Sequence, residues 1–398
     1  MRILLLNEYF PPDTAATAYM AAAVVDILAE GHQVTVLCGR PSYDPTERHP
    51  FYLFRRERRS QAVVERVGST TFPRFRMSRR IWNYLSYVAL SVPRALFVRT
   101  DLVMAMTDPP FEGIVGAFVA WLKRKPYIYN IRDLYPEMAL LGKIVHPSWW
   151  MRMWESLHRR AMAATTRIIV LGDDTRERII AKGIDPARVF VVRDGTRLAP
   201  PAKEQDHPVT QEIRCGFPFV VLHAGNLGFY GAWETVIKSA TLLDHDEAGF
   251  VFVGEGAMRP QVEALAHGVE KIRFLPFRPA EQVPYVLAAG DVHLITIKRG
   301  LEGVVVPSKL YSTLAAGRPI LALAPEGSDV ARVVRRTGCG VVVDPDDPRA
   351  LADAVRALAH DRERLAHMGE RALAAAGDFA RDKELRLFKQ VIEEAVFA

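Results

Sequence analysis

Cations and glycines suited to holding a phosphate lie together in the C-terminal half of the chain. Lys298 and Arg299 open a glycine-containing stretch that runs to Lys309, two residues after Pro307, a favoured first-turn residue of a helix. Backbone amides at a helix start, together with the ammonium of Lys309, can bind a pyrophosphate. Glu302, inside this stretch, can accept hydrogen bonds from sugar hydroxyls. A lysine on a surface helix is more often simply solvated, which is the alternative for Lys309.

Two glycine-containing turns follow predicted strands in the same half. One is Ala224-Gly225-Asn226-Leu227-Gly228, after strand 219–223, and the other is Gly254-Glu255-Gly256, after strand 249–253. Glycines between a strand and a helix let backbone amides approach a phosphate closely. Open α/β sheets bind ligands beyond the carboxyl ends of their strands, so we expect both turns to lie beside the lysine-containing stretch.

Polar residues also follow predicted strands in the N-terminal half. They are Asn7, Glu8, Asp108, Arg132, Asp133 and Glu137. We expect these residues to face the loops of the C-terminal half across a cleft. An aspartate behind a strand is also a common helix cap or turn residue, so a structural role is the alternative for Asp133.

Strand-then-helix units recur along the chain, which predicts parallel sheets covered by helices and therefore an α/β fold. The predicted strands are 2–6, 33–37, 102–106, 127–131, 168–171, 189–192, 219–223, 249–253, 272–275, 292–297, 319–324 and 340–343. The predicted helices are 17–30, 77–98, 111–122, 232–241, 260–267, one that begins at Pro307, and 350–398 with breaks near Gly369 and Gly377.

A proline-rich stretch divides this pattern in two. Residues 196–212 contain three prolines and show little periodicity, which indicates an interdomain linker. We therefore expect two Rossmann-like domains of similar size, residues 1–197 and residues 198–379.

Positive charge is concentrated between residues 40 and 80. This window holds eleven arginines against four carboxylates, whereas the whole chain of 398 residues has a net charge of +6. Such a patch suits lipid headgroups, a pyrophosphate-linked acceptor or nucleic acid, and a solvated face or loop is the alternative. No recognised nucleic-acid-binding module surrounds the window, so we expect no nucleic-acid partner. The arginines are Arg40, Arg48, Arg55, Arg56, Arg58, Arg59, Arg66, Arg74, Arg76, Arg79 and Arg80.

The predicted helix at 77–98 carries aromatic residues beside two of these arginines. A helix of this composition can lie at a membrane interface, and an ordinary core helix is the alternative. The residues concerned are Arg79, Arg80, Trp82, Tyr84 and Tyr87.

Composition limits the class of protein. Hydrophobic residues make up 49% of the chain, but no apolar run reaches the roughly 18 to 20 residues that a membrane span requires. The first residues fit a strand better than a signal peptide. Three widely spaced cysteines, Cys38, Cys215 and Cys339, lack metal-ligand spacing and argue for a reducing compartment. We therefore expect a cytoplasmic protein, with contact to the inner face of the cell membrane as a further hypothesis.

Several motifs together resemble glycosyltransferase family 4, in particular the branch that builds bacterial O-antigens, capsules and colanic acid. Their order and spacing along nearly the whole chain make the resemblance specific. The motifs are Phe10-Pro11-Pro12, Gly31-His32-Gln33-Val34-Thr35-Val36, Asp133-Leu134-Tyr135-Pro136-Glu137, His223-Ala224-Gly225-Asn226-Leu227-Gly228, Val253-Gly254-Glu255-Gly256, Ala289-Gly290-Asp291-Val292, Val306-Pro307-Ser308-Lys309-Leu310-Tyr311 and Ala315-Ala316-Gly317-Arg318-Pro319-Ile320.

This resemblance implies a GT-B fold, in which two Rossmann-like domains face a central cleft. The nucleotide-sugar donor, expected to be UDP- or GDP-linked, would bind the C-terminal domain, and the acceptor would bind the N-terminal one. A final helix of about residues 380–398 would complete the N-terminal domain. The resemblance also implies that the reaction retains anomeric configuration. It would need no metal or other cofactor, because helix-terminal amides and cations stabilise the leaving diphosphate.

The resemblance also implies roles for individual residues. The expected catalytic residues are Arg132, Asp133, Glu302 and Lys309. The expected donor-binding residues are Gly225, Asn226, Leu227, Gly228, Gly254, Glu255, Leu275, Pro276, Phe277, Lys298, Arg299, Gly303, Val304 and Val305. The expected acceptor-side residues are Asn7, Glu8, Thr14, Ala15, Ala16, Asp108 and Glu137.

Three features depart from the family pattern. Arg132 stands where many members have a histidine that touches the donor sugar. Asn226 and Tyr230 stand where many members place an arginine and a lysine on the diphosphate. The family pattern has two glutamates spaced eight residues apart. Ser312 stands at the position of the second, and Glu302 lies two residues before the position expected for the first. The leading candidates for the diphosphate charge are then Lys298, Arg299 and Lys309.

Other functions share features of this sequence. A nucleotide-sugar 2-epimerase has the same two-domain plan but needs clustered acid–base side chains, and Asp133, Glu137 and Glu302 form no clear array. A nicotinamide-dependent oxidoreductase is disfavoured because neither glycine turn has the spacing G-x-G-x-x-G. A non-catalytic nucleotide-sugar-binding or nucleic-acid-binding protein is the alternative from a different class. For a transferase, a polyprenyl-diphosphate saccharide is the preferred acceptor, and a small soluble aglycone stays open.

Overall fold

The chain divides into two compact units in a computed structural model. The first unit contains Met1–Arg193 and Glu384–Ala398, and the second contains Asp194–Lys383. Each unit is built on a parallel sheet covered by helices, which confirms the predicted α/β class with two Rossmann-like domains. The structure describes residues 1–42, 50–72, 77–142, 145–196, 206–244 and 248–397, without the side chains of residues 396 and 397.

An eight-stranded sheet forms the first unit. Its strands are β1 Arg2–Leu6, β2 Gln33–Cys38, β3 Phe54–Arg59, β4 Ala62–Val67, β5 Leu102–Ala105, β6 Tyr127–Ile131, β7 Arg167–Val170 and β8 Val189–Val191. The helices between them are α1 Ala16–Ala29, α2 Met77–Phe97, α3 Glu112–Lys123, α4 Glu137–Leu141, α5 Trp149–Ala163 and α6 Asp173–Ala181. The strands join in the order β3-β4-β2-β1-β5-β6-β7-β8, in which β3 and β4 are antiparallel and the other neighbours are parallel.

The central strands of this sheet are buried on both faces, which explains their uninterrupted apolar sequences. Ile128 points to the face covered by α1, so its neighbours Tyr127 and Tyr129 point to the opposite face, where α3 packs. The Tyr127 hydroxyl donates to the carbonyl oxygen of Gly113 (2.8 Å). A Cβ on Gly113 would lie 2.2 Å from the Tyr129 ring. Glycine therefore lets the start of α3 approach the carboxyl edge of the sheet.

Part of the basic window forms a β-hairpin that the sequence pattern did not reveal. Strand β3, with the sequence FRRERR, pairs antiparallel with β4 at the edge of the sheet and is largely exposed. Arg66 of β4 points inward, where it is 3% exposed and donates to Glu57 (2.7 Å). The window is thus partly an arginine-bearing sheet edge, a common device at exposed strands. Three of its arginines lie outside the described residues: Arg48, Arg74 and Arg76.

The helix predicted at 77–98 is confirmed as α2. Trp82 is 62% exposed, as an interfacial position requires. Tyr84 and Tyr87 are buried, so the prediction that they also face a membrane interface is wrong. Their hydroxyls find partners inside the unit, and that of Tyr87 donates to the carbonyl oxygen of Leu37 (3.1 Å).

A six-stranded sheet forms the second unit. Its helices are α7 Pro208–Arg214, α8 Trp233–Thr241, α9 Arg259–Leu265, α10 Val283–Ala289, α11 Lys309–Ala315, α12 Asp329–Thr337, α13 Pro348–His360 and α14 Arg362–Ala376. Its strands are β9 Val220–Ala224, β10 Gly249–Val253, β11 Ile272–Leu275, β12 Val292–Thr296, β13 Ile320–Leu323 and β14 Gly340–Val343. The strand order is β11-β10-β9-β12-β13-β14, with all neighbours parallel. Because the order reverses between β9 and β12, their carboxyl ends mark the switch point where such sheets bind ligands.

Helix α15 Arg381–Phe397 carries the chain from the second unit back into the first. Phe388, Val391 and Ile392 pack in the core beside α1. Salt bridges fasten the same helix to the rest of the first unit, including Arg167 to Glu394 (3.0 Å).

Three predicted boundaries in the second unit are wrong. Helix α11 begins at Lys309 rather than Pro307. Gly369 lies inside α14, and the break falls at Asp361, whose carboxylate accepts a hydrogen bond from the amide of Arg364 (2.9 Å) and caps the helix. The predicted linker 196–212 contains α7, whereas residues 197–205 lie outside the described residues.

Candidate functional site

The two glycine turns of the second unit lie side by side and are hydrogen-bonded to each other. The amide of Gly225 donates to the carbonyl oxygen of Val253 (2.8 Å), and that of Leu227 donates to Glu255 (2.9 Å). Gly225 and Gly254 have φ angles of +131° and +145°, which favour glycine. A Cβ on Gly254 would lie 2.2 Å from the carbonyl oxygen of Gly225. The turns after β9 and β10 therefore form one continuous backbone surface.

The loops that follow β11 and β12 join the same edge. The amide of Gly254 donates to the carbonyl oxygen of Leu275 (3.1 Å), and the amide of Lys298 donates to Tyr230 (2.7 Å). Backbone bonds thus hold the ends of four neighbouring strands together. Side chains borne by these loops share one region of the second unit.

Lys309, the first residue of α11, extends to the turn after β9. Its Nζ lies 2.8 Å from Nε2 of His223 and 3.4 Å from the carbonyl oxygen of Asn226. The ammonium also lies 5.8 Å from the centroid of the Tyr230 ring, a cation–π distance. Asn226 and Tyr230 are the positions where the family pattern has cations. The structure therefore brings a cation from another element to the place where the turn itself lacks one.

His223 holds this lysine from the end of β9. Nδ1 of the buried ring lies 3.1 Å from the carbonyl oxygen of Leu294. Because a carbonyl only accepts, Nδ1 carries the proton and Nε2 is left to accept from Lys309. Burial, with the charge of Lys309 as a smaller cause, lowers the pKa of His223 well below its ordinary value. Burial also lowers the pKa of Lys309 to about 7.

Sequence reasoning did not select His223 as a site residue. Its signal was a polar side chain at the end of an apolar strand, directly before a glycine turn. The ring is also packed edge-on against Trp233, with centroids 4.9 Å apart, which fixes its orientation.

Two other predicted donor residues have charged partners of their own. Arg299 is bonded to the carboxylates of Asp344 and Asp346, both at 2.6 Å, after β14 and before α13. Its charge is therefore already balanced. Glu255 pairs with Arg259 at 2.5 Å.

The remaining predicted donor residues differ in exposure, and their roles stay predictions. Leu227, Gly228, Gly254, Gly303 and Val304 are buried, Gly225, Leu275, Glu302 and Val305 are half-buried, and Asn226, Pro276, Phe277 and Lys298 are exposed.

The predicted acceptor-side residues of the first unit gather at the carboxyl ends of β1, β5 and β6. The amide of Glu8 donates to the carbonyl oxygen of Asp108 (2.8 Å), which joins the loops after β1 and β5. The side-chain amide of Asn7 donates to the carbonyl oxygen of Tyr9 (2.6 Å). Of the acceptor-side residues, Asn7, Glu8 and Ala15 are buried, Asp108 and Glu137 are half-buried, and Thr14 and Ala16 are exposed. Of the predicted catalytic residues after β6, Arg132 is buried and Asp133 is half-buried.

A further carboxyl group, which the sequence analysis did not predict, lies behind this edge of the sheet. Glu112 opens α3, is fully buried, and lies 3.1 Å from the Tyr87 hydroxyl. Burial raises the pKa of Glu112 well above its ordinary value, and the nearby charges of Glu8 and Asp108 act in the same direction. This environment therefore favours the neutral, protonated form of Glu112.

Glu137 has a different environment from the other acceptor-side residues. Its carboxylate pairs with Lys182 just beyond the end of α6, and the same ammonium lies 3.3 Å from Glu155 of α5. The structure thus gives Glu137 a role in holding α4 beside α5 and α6. Its predicted acceptor role stays a prediction.

Three further observations limit the chemistry of the described residues. Among them, no group of three or more histidines, cysteines, aspartates and glutamates is placed to hold a metal ion. Cys38, Cys215 and Cys339 are free thiols. Within the same described ranges, every helix is too short or too polar to cross a membrane.

Solved structures identify the class to which this fold belongs. The crystal structure of Anabaena HepE in complex with UDP and glucose is similar over 99% of this chain and 100% of that chain, with a TM-score of 0.73 and 17% identity. The crystal structure of WaaG, a glycosyltransferase involved in lipopolysaccharide biosynthesis, is similar over 98% of this chain and 99% of that chain, with a TM-score of 0.66 and 17% identity. At these identities the likeness concerns the fold, which is the GT-B fold of glycosyltransferases.

Family models and known relatives agree with that class. A glycosyl transferase 4-like domain matches residues 14–195, and the glycosyl transferases group 1 domain matches residues 216–361. The putative colanic acid biosynthesis glycosyl transferase WcaI of Escherichia coli K12 is 31% identical over 380 residues, which cover 89% of this chain and 91% of WcaI. The probable glycosyltransferase WbjE of Pseudomonas aeruginosa is 27% identical over 259 residues, which cover 64% of this chain and 65% of WbjE, just under two thirds. The chain belongs to glycosyltransferase family 4, as its motifs predicted.

Proposed function

We propose that the protein is a retaining, metal-independent glycosyltransferase of surface polysaccharide synthesis, which needs no cofactor and uses a UDP- or GDP-linked sugar as donor. The names of WcaI and WbjE support the reaction class, and that of WcaI supports the polysaccharide. The UDP bound in the HepE structures supports a nucleotide sugar. The second unit binds the donor, and the first unit binds the acceptor.

One observation carries this proposal: the ammonium of Lys309 lies at the paired glycine turns after β9 and β10. The amides of Gly225 and Leu227 are already used to join the two turns. Lys309 therefore supplies the main charge that faces an incoming diphosphate. A partly buried cation with a lowered pKa gains from an anionic partner, because water screens such a pair less than one on the open surface.

In the reaction, an acceptor hydroxyl oxygen bonds to the anomeric carbon as the bond from that carbon to the diphosphate oxygen breaks. Negative charge develops on the leaving diphosphate, which takes up the hydroxyl proton. Lys309 stabilises that charge by electrostatic attraction, which acts most strongly in the transition state. His223 keeps the ammonium directed at the turn by accepting a hydrogen bond from it at Nε2. Arg132, Asp133 and Glu302 are assigned to the sugar and the acceptor, and Lys298 to the diphosphate.

The acceptor is proposed to be a polyprenyl-diphosphate saccharide at the cytoplasmic face of the membrane. Two features support this choice over a small soluble aglycone. The first unit has an arginine-bearing sheet edge, and its α2 exposes Trp82. Cations suit a diphosphate, and an exposed tryptophan suits a lipid interface.

The test is a transfer assay with purified protein, nucleotide sugars and a short-chain prenyl-diphosphate saccharide. The proposal predicts release of nucleoside diphosphate that requires the acceptor, an unchanged rate in the presence of EDTA, and a product with the anomeric configuration of the donor. Nuclear magnetic resonance of the product gives that configuration. Conversion of the donor to its 2-epimer would instead identify an epimerase. Donor binding without turnover against any acceptor would favour a binding protein.

A further inference from the structure

Helix α2 carries its large apolar side chains on its exposed side. The exposed fraction ranges from 43% for Leu96 to 79% for Phe97. The exposed set is Met77, Ile81, Trp82, Leu85, Leu96 and Phe97, whereas the buried set is Asn83, Tyr84, Tyr87, Ser91 and Ala95. A surface helix of a globular protein normally shows the opposite arrangement. Contiguous exposed apolar surface of this kind marks an interaction site.

Helices α3 and α5 extend this surface. Helix α3 packs against both α2 and α5. Lys123 fastens the ends of α3 and α2, since its Nζ donates to the carbonyl oxygens of Ala95 (3.2 Å) and Leu96 (3.0 Å). The outer helical face is defined here by the large exposed apolar residues of the three helices: Met77, Ile81, Trp82, Leu85, Leu96, Phe97, Phe118, Trp121, Leu122, Trp149, Trp150, Met153 and Leu157.

The outer helical face continues to the acceptor-side edge of the first unit. Trp150 stacks on Trp154, with ring centroids 6.3 Å apart, and Trp154 stacks on Tyr135 at 6.0 Å. Tyr135 is two residues from Asp133. A row of aromatic rings therefore runs from the exposed start of α5 to the predicted site.

Cations border this face, and carboxylates are few. Helix α2 has no aspartate or glutamate in its sequence, and Glu112 of α3 is fully buried. Glu155 of α5 lies 3.3 Å from the ammonium of Lys182, which also pairs with Glu137. The exposed cations on or directly beside α3 and α5 are Arg124, Lys125, Arg152, Arg159 and Arg160.

A cavity at the end of α2 combines the same two chemistries. Its volume is about 420 Å³, and it opens between β3, β4 and the last turn of α2. Phe54 and Phe97 supply apolar walls, and Arg55 and Arg56 supply guanidinium groups. Arg94 also lines the cavity, where it is paired with the carboxylate of Glu65 (2.8 Å). Guanidinium groups beside apolar surface suit a phosphate attached to an acyl chain.

The positive charge that borders the outer helical face favours an anionic bilayer over a second copy of the chain as its partner. A second copy of the chain, paired by two-fold symmetry, would place this cation-bordered surface against itself. An anionic bilayer offers phosphates to the cations and an acyl–headgroup boundary to the tryptophans. Since no described helix can cross a membrane, the contact would lie along the surface of the bilayer.

We propose that the outer helical face docks on a bilayer of anionic lipids, with its tryptophans at the acyl–headgroup boundary and its arginines and lysines on lipid phosphates. This inference deepens the proposed function, since it names the surface on which a lipid-linked acceptor would be met. Docking needs no sugar transfer, so it can be tested separately.

The experiment is cosedimentation of the full chain with vesicles of equimolar phosphatidylglycerol and phosphatidylcholine, or of phosphatidylcholine alone. The test variant combines Trp82→Ser, Trp121→Ser and Trp149→Ser, one exposed tryptophan from each helix. The control variant combines Leu265→Ser, Leu373→Ser and Leu387→Ser, which are exposed apolar residues of α9, α14 and α15. Thermal stabilisation by a nucleotide sugar, measured on the same preparations, shows that each protein is folded and binds its donor.

The proposal predicts at least tenfold tighter binding to the anionic vesicles than to neutral ones. It predicts a loss of at least tenfold in the test variant and a change below about twofold in the control. Equal binding by the test variant and the wild type would overturn it, as would no binding of the wild type to anionic vesicles. A wild-type dimer in light scattering that the test variant abolishes would assign the face to self-association instead. Failed docking with intact nucleotide-sugar binding would overturn this inference and leave the proposed donor site standing.

Discussion

Affinity for a nucleotide sugar should depend on pH through Lys309. Its ammonium must be charged to hold a diphosphate, whereas burial lowers the pKa of Lys309 to about 7 in the free protein. With a pKa of about 7, roughly nine-tenths of the side chain is charged at pH 6 and roughly one-tenth at pH 8. Binding of the anion raises this pKa, so affinity is fully present below about pH 7 and is lost as pH rises above it.

The expected magnitude follows from those fractions. The dissociation constant should rise about tenfold between pH 6 and pH 8, and about half a proton should be taken up per donor bound at pH 7. A nucleotide sugar is the right probe, because its diphosphate is doubly esterified and exchanges no proton in this range. Isothermal titration in buffers of different ionisation enthalpy measures both quantities.

Two variants separate Lys309 from other titrating groups. Lys309→Met keeps an unbranched chain of similar length and removes the charge. It should weaken binding by about 10- to 100-fold at pH 6, the scale of a charged hydrogen bond, and abolish the dependence on pH. Lys238→Met, on the exposed side of α8, is the matched control. It should change neither the affinity at pH 6 nor the dependence of affinity on pH. A wild-type dissociation constant that varies less than twofold between pH 6 and pH 8 would refute the reasoning, as would a pH dependence that survives in Lys309→Met.

Three further substitutions test the same site. His223→Phe keeps an aromatic ring but removes the hydrogen-bond acceptor for Lys309, so calorimetry should show donor affinity reduced about three- to tenfold in a folded protein. An unchanged affinity would show that His223 does not position Lys309. Gly254→Ala should lower stability by about 2 kcal/mol or more in thermal unfolding, since its Cβ would lie 2.2 Å from the carbonyl oxygen of Gly225, and an unaltered melting temperature would contradict that packing. Arg299→Ala should change donor affinity by less than about threefold, because two aspartates already balance its charge. A tenfold loss of donor affinity in the same titration would instead show that Arg299 binds the diphosphate.

The positions of most strands along the chain were predictable because their sequences are short apolar runs between turn residues. β1, β6, β10, β11 and β14 have the predicted limits. Of these, β1, β6 and β10 are interior parallel strands, so both faces are apolar and the pattern is strong, whereas β11 and β14 lie at the edges of the second sheet. β3 was missed because an exposed edge strand with the sequence FRRERR has no such pattern.

The candidate site was predictable in part. The glycine turns follow strands, so the general placement of Gly225 and Gly254 at one sheet edge could be expected from the α/β pattern. The approach of Lys309 to His223 could not, because the two residues are 86 positions apart and meet only through the packing of α11 on the sheet. The pairing of Arg299 with Asp344 and Asp346 was hidden for the same reason.

The orientation of α2 was also beyond sequence reasoning. Tyr84 and Tyr87 have the same amphipathic chemistry as Trp82, and helical periodicity alone does not say which side faces the sheet. Burial of Asn83 and Tyr87 is possible because both find partners inside the unit. Those hydrogen bonds, and not apolar periodicity, decide which side of α2 is exposed.

The most direct test of the central claim is thermal unfolding of the purified protein with UDP-, GDP-, TDP- and ADP-linked sugars. A ligand that binds only the folded state at 100 times its dissociation constant adds about 2.7 kcal/mol, which raises the melting temperature of a unit of this size by about 5 °C or more. The account predicts a rise of this kind with one class of nucleotide sugar, and its loss in Lys309→Met. No rise with any of the four, in protein shown to be folded, would contradict the assignment of the glycine turns and Lys309 to a nucleotide-sugar donor.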